Sequence, residues 1–125
     1  MRVLVTGSTT WLDTQALHRE LSLLPTASVI VTGDTPGIDA LAQEVALTLG
    51  FQIEAMKKQK SDYRSDELSK PREGWKGLNQ RMLATGIDLV LAFHADYGKP
   101  GCARGTQHAV GLAEAAGIAV RIFRY

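Results

Sequence analysis

At 125 residues the chain has room for one domain around a single core and none for a second. Hydrophobic residues at 45% and charged residues at 22% exclude a disordered or membrane-embedded chain and predict a soluble globular one. With 14 Lys and Arg against 13 Asp and Glu, the net charge of +1 gives no global attraction to nucleic acid or anionic lipid, so recognition of anions must be local.

The first predicted strand, near 2–6, runs through Val3-Leu4-Val5 straight into Thr6-Gly7-Ser8. No secretory signal is visible, and no apolar run approaches the roughly 20 residues that span a bilayer. The one cysteine, Cys102, excludes an internal disulfide framework and a thiolate zinc cluster, so a cytoplasmic location with no membrane partner is expected. After the strand, Gly7-Ser8-Thr9-Thr10-Trp11 offers small residues that either cap the next helix or let amides and hydroxyls approach a phosphate. Trp11 is expected to cover the helix start.

A helix near 12–24 ends at Pro25, and a strand follows near 28–32. The turn Gly33-Asp34-Thr35-Pro36-Gly37 then leads into the clearest helix, near 36–49, where Ile38, Leu41, Ala42, Val45, Ala46 and Leu49 form one apolar face. Pro36 suits a first helical position with Thr35 as its cap. Asp39, in the first turn, either binds ribose hydroxyls or complements the helix dipole. The glycine spacing is not the dinucleotide fingerprint, which would follow the first strand, so no nicotinamide or other cofactor is expected.

A strand near 51–56 precedes a polar segment, about 57–76, that carries Lys57, Lys58, Lys60, Arg64, Lys70, Arg72 and Lys76 among acidic residues. It reads as a solvated loop or as a lid whose Tyr63 and Trp75 stack on a base. A helix near 77–85 and a strand near 87–93 come next. The longest glycine-rich loop, Tyr97 to Thr106, closes on a helix near 105–116, where helix-start amides, Thr106 and Arg104 make the best phosphate cradle in the chain. The last strand is near 118–123. His94, Asp96, Cys102 and His108 match no compact ligand spacing, and no metal is expected.

Alternating strands and helices, with Gly50, Gly86 and Gly117 each between a helix and a strand, predict a parallel α/β sheet with right-handed crossovers. The first, second and fourth strands are continuously apolar, as in strands covered on both faces. Phe51-Gln52-Ile53-Glu54 alternates and Arg121 interrupts the last strand, so these two belong at the edges. The predicted order is 3-2-1-4-5, a Rossmann-like three-layer sandwich spanning 1–125 as one domain. Its ligand crevice lies at the carboxyl ends of strands one and four.

With those loops in view the chain resembles the SLOG superfamily, named for the Smf/DprA and Lonely Guy proteins, and most closely its small YspA-like branch. The resemblance covers nearly the whole chain. It rests on Val3-Leu4-Val5-Thr6-Gly7-Ser8, on Thr32-Gly33-Asp34-Thr35-Pro36-Gly37-Ile38-Asp39-Ala40-Leu41-Ala42, on Asn79-Gln80-Arg81-Met82-Leu83 and on Arg104-Gly105-Thr106. It implies recognition of nucleotides or nucleotide-derived molecules and frequent self-association as a dimer or higher homo-oligomer. The Gly37-Ile38-Asp39 step also looks like the corresponding turn of the DprA proteins, which bind single-stranded DNA. Thr9 and Leu78 stand where the branch usually has arginine, so the phosphate would fall to Arg81, Arg104 and the basic segment. Gln107 and His108 follow the Gly-Thr pair where the Lonely Guy enzymes have a catalytic glutamate.

The expected site therefore comprises Gly7, Ser8, Thr9, Gly33, Asp34, Gly37, Asp39, Asn79, Arg81, Gly101, Arg104, Gly105 and Thr106. The leading expectation is a binding or sensing module for a nucleotide-like small molecule. One alternative is a hydrolase of a nucleotide or nucleoside N-glycosidic bond, related to the phosphoribohydrolases, with Asp34 or Asp39 supplying its carboxylate. The other is single-stranded DNA binding through Arg64, Lys70, Arg72, Lys76 and Trp75.

Overall fold

The computed structural model describes residues 1–63 and 74–124. Five parallel strands, β1 (Arg2–Gly7), β2 (Val29–Thr32), β3 (Gln52–Ala55), β4 (Leu89–Phe93) and β5 (Ala119–Phe123), form one sheet in the order β3-β2-β1-β4-β5. Helices α1 (Thr14–Leu21), α2 (Ile38–Leu49), α3 (Gly74–Ala84) and α4 (Arg104–Ala115) cover it, making the Rossmann-like sandwich that the sequence predicts. Among the described residues no helix is long and apolar enough to cross a membrane.

The strands alternate faces at a period of two, and each apolar run supplies both layers of core. Val3, Val5, Ile30, Leu91 and Phe93 pack with Leu17, Leu21, Ile38, Ala42 and Val45 of α1 and α2. Leu4, Val31 and Val90 pack on the opposite face with Leu78 and Met82 of α3 and Ala113 of α4. β1 sits between β2, pairing Val3 with Ile30, and β4, pairing Val3 with Leu89. The winding reverses at β1 and β4, and the carboxyl ends of these strands open the crevice.

Three boundaries differ from expectation. The first helix is shorter, Thr14–Leu21, because Asp13 is its cap, its carboxylate accepting from the Gln15 and Ala16 amides at 2.9 and 3.4 Å. Ser8, Thr9 and Thr10 therefore do not cap it. The second helix begins at Ile38 rather than at Pro36, and Thr35 is not its cap. Gly37 precedes it at φ 76°, and the Ile38 amide leaves the helix to bond the Ser8 carbonyl at 3.0 Å. The third helix begins at Gly74, inside the stretch expected as loop, since Gly74 and Gly77 are weak helix formers that mask its first turn. Of the polar segment, Lys60–Tyr63 forms a 3₁₀ turn. Arg64, Lys70 and Arg72 lie outside the described residues.

Candidate functional site

A cavity of about 460 Å³ opens at the carboxyl rim, bounded by the segments that follow β1, β2 and β4 and by the start of α3. Close backbone approach brings those segments together. The Ser8 amide donates to the Phe93 carbonyl at 2.9 Å, and a Cβ at Gly7 would lie 2.1 Å from that same oxygen. Glycine is required at Gly7 by this contact between strand ends, and its backbone lines the cavity.

One end of the cavity is formed by the start of a helix. α4 starts after Ala103, a non-glycine residue held at φ 56°, and no side chain caps its first-turn amides. Arg104, Gly105 and the buried Thr106 all line the cavity there. Amides left unbonded within the first turn, together with the positive end of the helix dipole, attract negative charge. Trp75 faces this corner from α3, its ring 5.9 Å from the Arg104 guanidinium and edge-on to His108 at 5.4 Å. Lys76 also lies over the ring, at 5.6 Å.

The other end is acidic. Asp39 is 8% exposed, and its Oδ2 accepts from the Thr35 amide at 3.2 Å and the Thr35 hydroxyl at 2.7 Å. Burial pushes the Asp39 carboxyl above the ordinary carboxylate value, the Thr35 bonds oppose this, and the nearby Asp34 charge adds to the rise. Asp34 behaves oppositely. Burial alone would raise it, but Lys58 donates to it from both its amide and its ammonium, and the net effect is a lowered carboxyl. The cavity thus holds two carboxylates whose proton affinities are driven apart.

The Asp39 shift has a consequence for stability. A carboxyl that binds its proton more tightly when folded makes stability fall as pH rises from the unfolded value through the folded one. Asp39→Asn keeps an oxygen for Thr35 and cannot ionise. Its stability relative to the natural chain, followed by thermal melting from mildly acidic to neutral pH, is expected to improve as pH rises. A constant difference would show that Asp39 titrates at its ordinary value.

Of the expected site residues, Gly7, Thr9, Gly33, Asp34, Asp39, Asn79, Arg104, Gly105 and Thr106 meet at the cavity. Gly33 serves it indirectly, since a Cβ there would lie 2.8 Å from Asp39 Oδ2. Asn79 is 7% exposed and ties the helices together, its Nδ2 donating to the Gly105 carbonyl at 3.2 Å and facing His108 Nδ1 at 3.1 Å. Four expected residues do not line the cavity. The Ser8 hydroxyl turns to Thr10, 3.0 Å away, Gly37 packs under the Ser8–Thr9 backbone, and Gly101 lies in the loop ahead of α4. Arg81 instead grips the buried Asp62, with Nε at 2.6 Å and Nη2 at 2.8 Å, and also donates to the Lys57 carbonyl.

Sequence reasoning did not single out Thr6, Lys58, Leu78, Met82, His94 or Ala103 as lining residues. Lys58 was legible only as one of several basic residues, Leu78 only as standing where the branch usually has arginine, and Met82 only as part of the Asn79–Leu83 motif. Trp11, in contrast, covers the start of α1 as expected, donating to the Asp13 carbonyl at 2.8 Å. His94 Nδ1 accepts from the Asp96 amide, and among the described residues no three such side chains converge on a metal position.

No protein-family model matches the chain. No curated protein matches it either. Among solved structures it is similar to DNA processing protein A (DprA) from Streptococcus pneumoniae, with a TM-score of 0.72 at 19% sequence identity. That match covers 97% of this chain and 49% of the other, so the chain spans about half the length of that protein. At this identity the likeness is one of fold.

Proposed function

We propose that the chain is a SLOG-superfamily module of the YspA-like branch that binds a nucleotide or nucleotide-derived phosphate ligand in the rim cavity. The observation that carries this reading is the uncapped start of α4 opening on the cavity beside Arg104. The phosphate sits on the Gly105 and Thr106 amides, with the Thr106 hydroxyl and the Arg104 guanidinium as further donors. Thr9 borders it, Trp75, Leu78 and Met82 supply apolar surface for a base, and Asp39 and Asn79 face the ribose or base. A cavity of about 460 Å³ suits one nucleotide rather than a polymer.

A ligand that binds only the folded chain raises its melting temperature. Nucleoside 5′-monophosphates are expected to do so, and Arg104→Ala to weaken their affinity about 30-fold, the loss of a charge-assisted bond worth about 2 kcal/mol. No shift with any phosphate compound would overturn the reading.

Single-stranded DNA binding is favoured by the fold likeness to DprA. Its signature would be affinity that falls steeply with salt. Hydrolysis of an N-glycosidic bond is favoured by the opposed shifts of Asp34 and Asp39. Release of free base, lost in Asp34→Asn or Asp39→Asn, would establish it.

A further inference from the structure

Thr35 gives both of its hydrogen bonds to one oxygen of Asp39, Oδ2. Among the described residues Oδ1 accepts none, and Asp39, only 8% exposed, borders the cavity. Oδ1 is not among the buried side-chain atoms without a partner, so it is open to the cavity and can accept from a donor that arrives there. Asp34 is poorly placed to compete, because Lys58 engages both of its oxygens.

The strand order fixes what that donor must span. Asp39 follows β2 and the α4 start follows β4, with β1 between them. Neighbouring strands lie about 4.8 Å apart, so β2 and β4 are separated by about 10 Å, and a ligand that joins the two anchors crosses the end of β1. A phosphate at the opposite end would face two carboxylates, so the ligand has one direction: phosphate on α4, sugar toward Asp39, base toward Trp75, Leu78 and Met82.

We propose that Asp39 Oδ1 accepts a hydrogen bond from a ribose hydroxyl of the bound ligand, making Asp39 the residue that selects free nucleotides bearing a sugar hydroxyl over their 2′,3′-dideoxy counterparts and over a DNA strand. This rests on the phosphate seat assigned to α4. Within a DNA strand the 2′ carbon carries only hydrogen and the 3′ oxygen is esterified, so the sugar offers Asp39 no donor. A site built to hydrogen-bond a hydroxyl rejects the analogue that lacks it, because its own polar group is left unpaired.

The test is calorimetric titration of the chain with the four common ribonucleoside 5′-monophosphates, their 2′-deoxy and 2′,3′-dideoxy counterparts, and a short single-stranded oligodeoxynucleotide. The tightest ribonucleotide is expected to bind about tenfold or more tighter than its dideoxy counterpart, and Asp39→Ala to reduce that ratio to near one. The series on the natural chain decides the matter even if Asp39→Ala does not fold. Equal binding of ribo and dideoxy forms would overturn the inference and leave the phosphate seat standing. Selectivity that survives Asp39→Ala, or an oligodeoxynucleotide that binds as tightly as the mononucleotides, would also overturn it. No binding of any nucleotide would overturn both.

Discussion

Replacing Gly37 by alanine is expected to cost at least about 3 kcal/mol of folding stability and to dismantle the cavity with it. Gly37 sits at φ 76°, a conformation that side chains disfavour. A Cβ there would also lie 2.3 Å from the Ser8 carbonyl oxygen and 2.5 Å from the Thr9 carbonyl carbon. Those are backbone atoms of the β1 loop, held in place by the Ile38 amide, and cannot swing aside as a side chain would. Gly50 provides the internal control. It has a similar φ of 83° with nothing within 4 Å of its Cβ position, so Gly50→Ala should lose only about 1 kcal/mol. Urea unfolding of the two variants measures the difference, and equal midpoints would show that the close approach at Gly37 is easily relieved.

Arg81→Ala is expected to lose about 2 to 3 kcal/mol at neutral pH, although it lies outside the cavity. Its guanidinium binds both oxygens of Asp62, whose side chain is 1% exposed, and holds that carboxyl below the usual carboxylate range. Removing the cation leaves the buried carboxylate without its guanidinium, with the Gln59 amide still donating to it at 2.6 Å. A depressed carboxyl contributes stability above its unfolded value and loses it as pH falls through the folded one. The gap between the natural chain and the variant should therefore be full at neutral pH and close in strong acid. A pH-independent gap in denaturant midpoints would assign the loss to packing alone.

These two residues also mark how far the sequence could be read. The sheet order was legible because burial on both faces writes itself as unbroken apolar runs, as in Leu89 to Phe93, while Gln52 and Arg121 betray the edges. That Asp34, Asp39, Arg104, Gly105 and Thr106 would meet at one rim was legible because each segment follows a strand end. The start of α2 was not. Pro36 is a good local signal for a first helical residue, but the register is set by the Ser8 carbonyl, a tertiary contact with no trace in neighbouring residues. Arg81 failed for the same reason. Beside Asn79 it reads as an anion contact, and only folding reveals that an acidic partner 19 residues earlier has already taken it. Lys58 was hidden among basic neighbours until the fold set it against Asp34.

The placement of β1 bears on how the protein is made. Of the five strands β1 is synthesised before the others and finds β2 early, yet its other neighbour, β4, pairs Leu89 with Val3 and is synthesised far later. At about 5 to 20 residues per second the nascent chain waits on the order of seconds with one edge of Val3-Leu4-Val5 uncovered. Chaperone dependence and cotranslational aggregation should therefore centre on β1, which gains its second neighbour, and has both of its edges buried at once, only when β4 arrives.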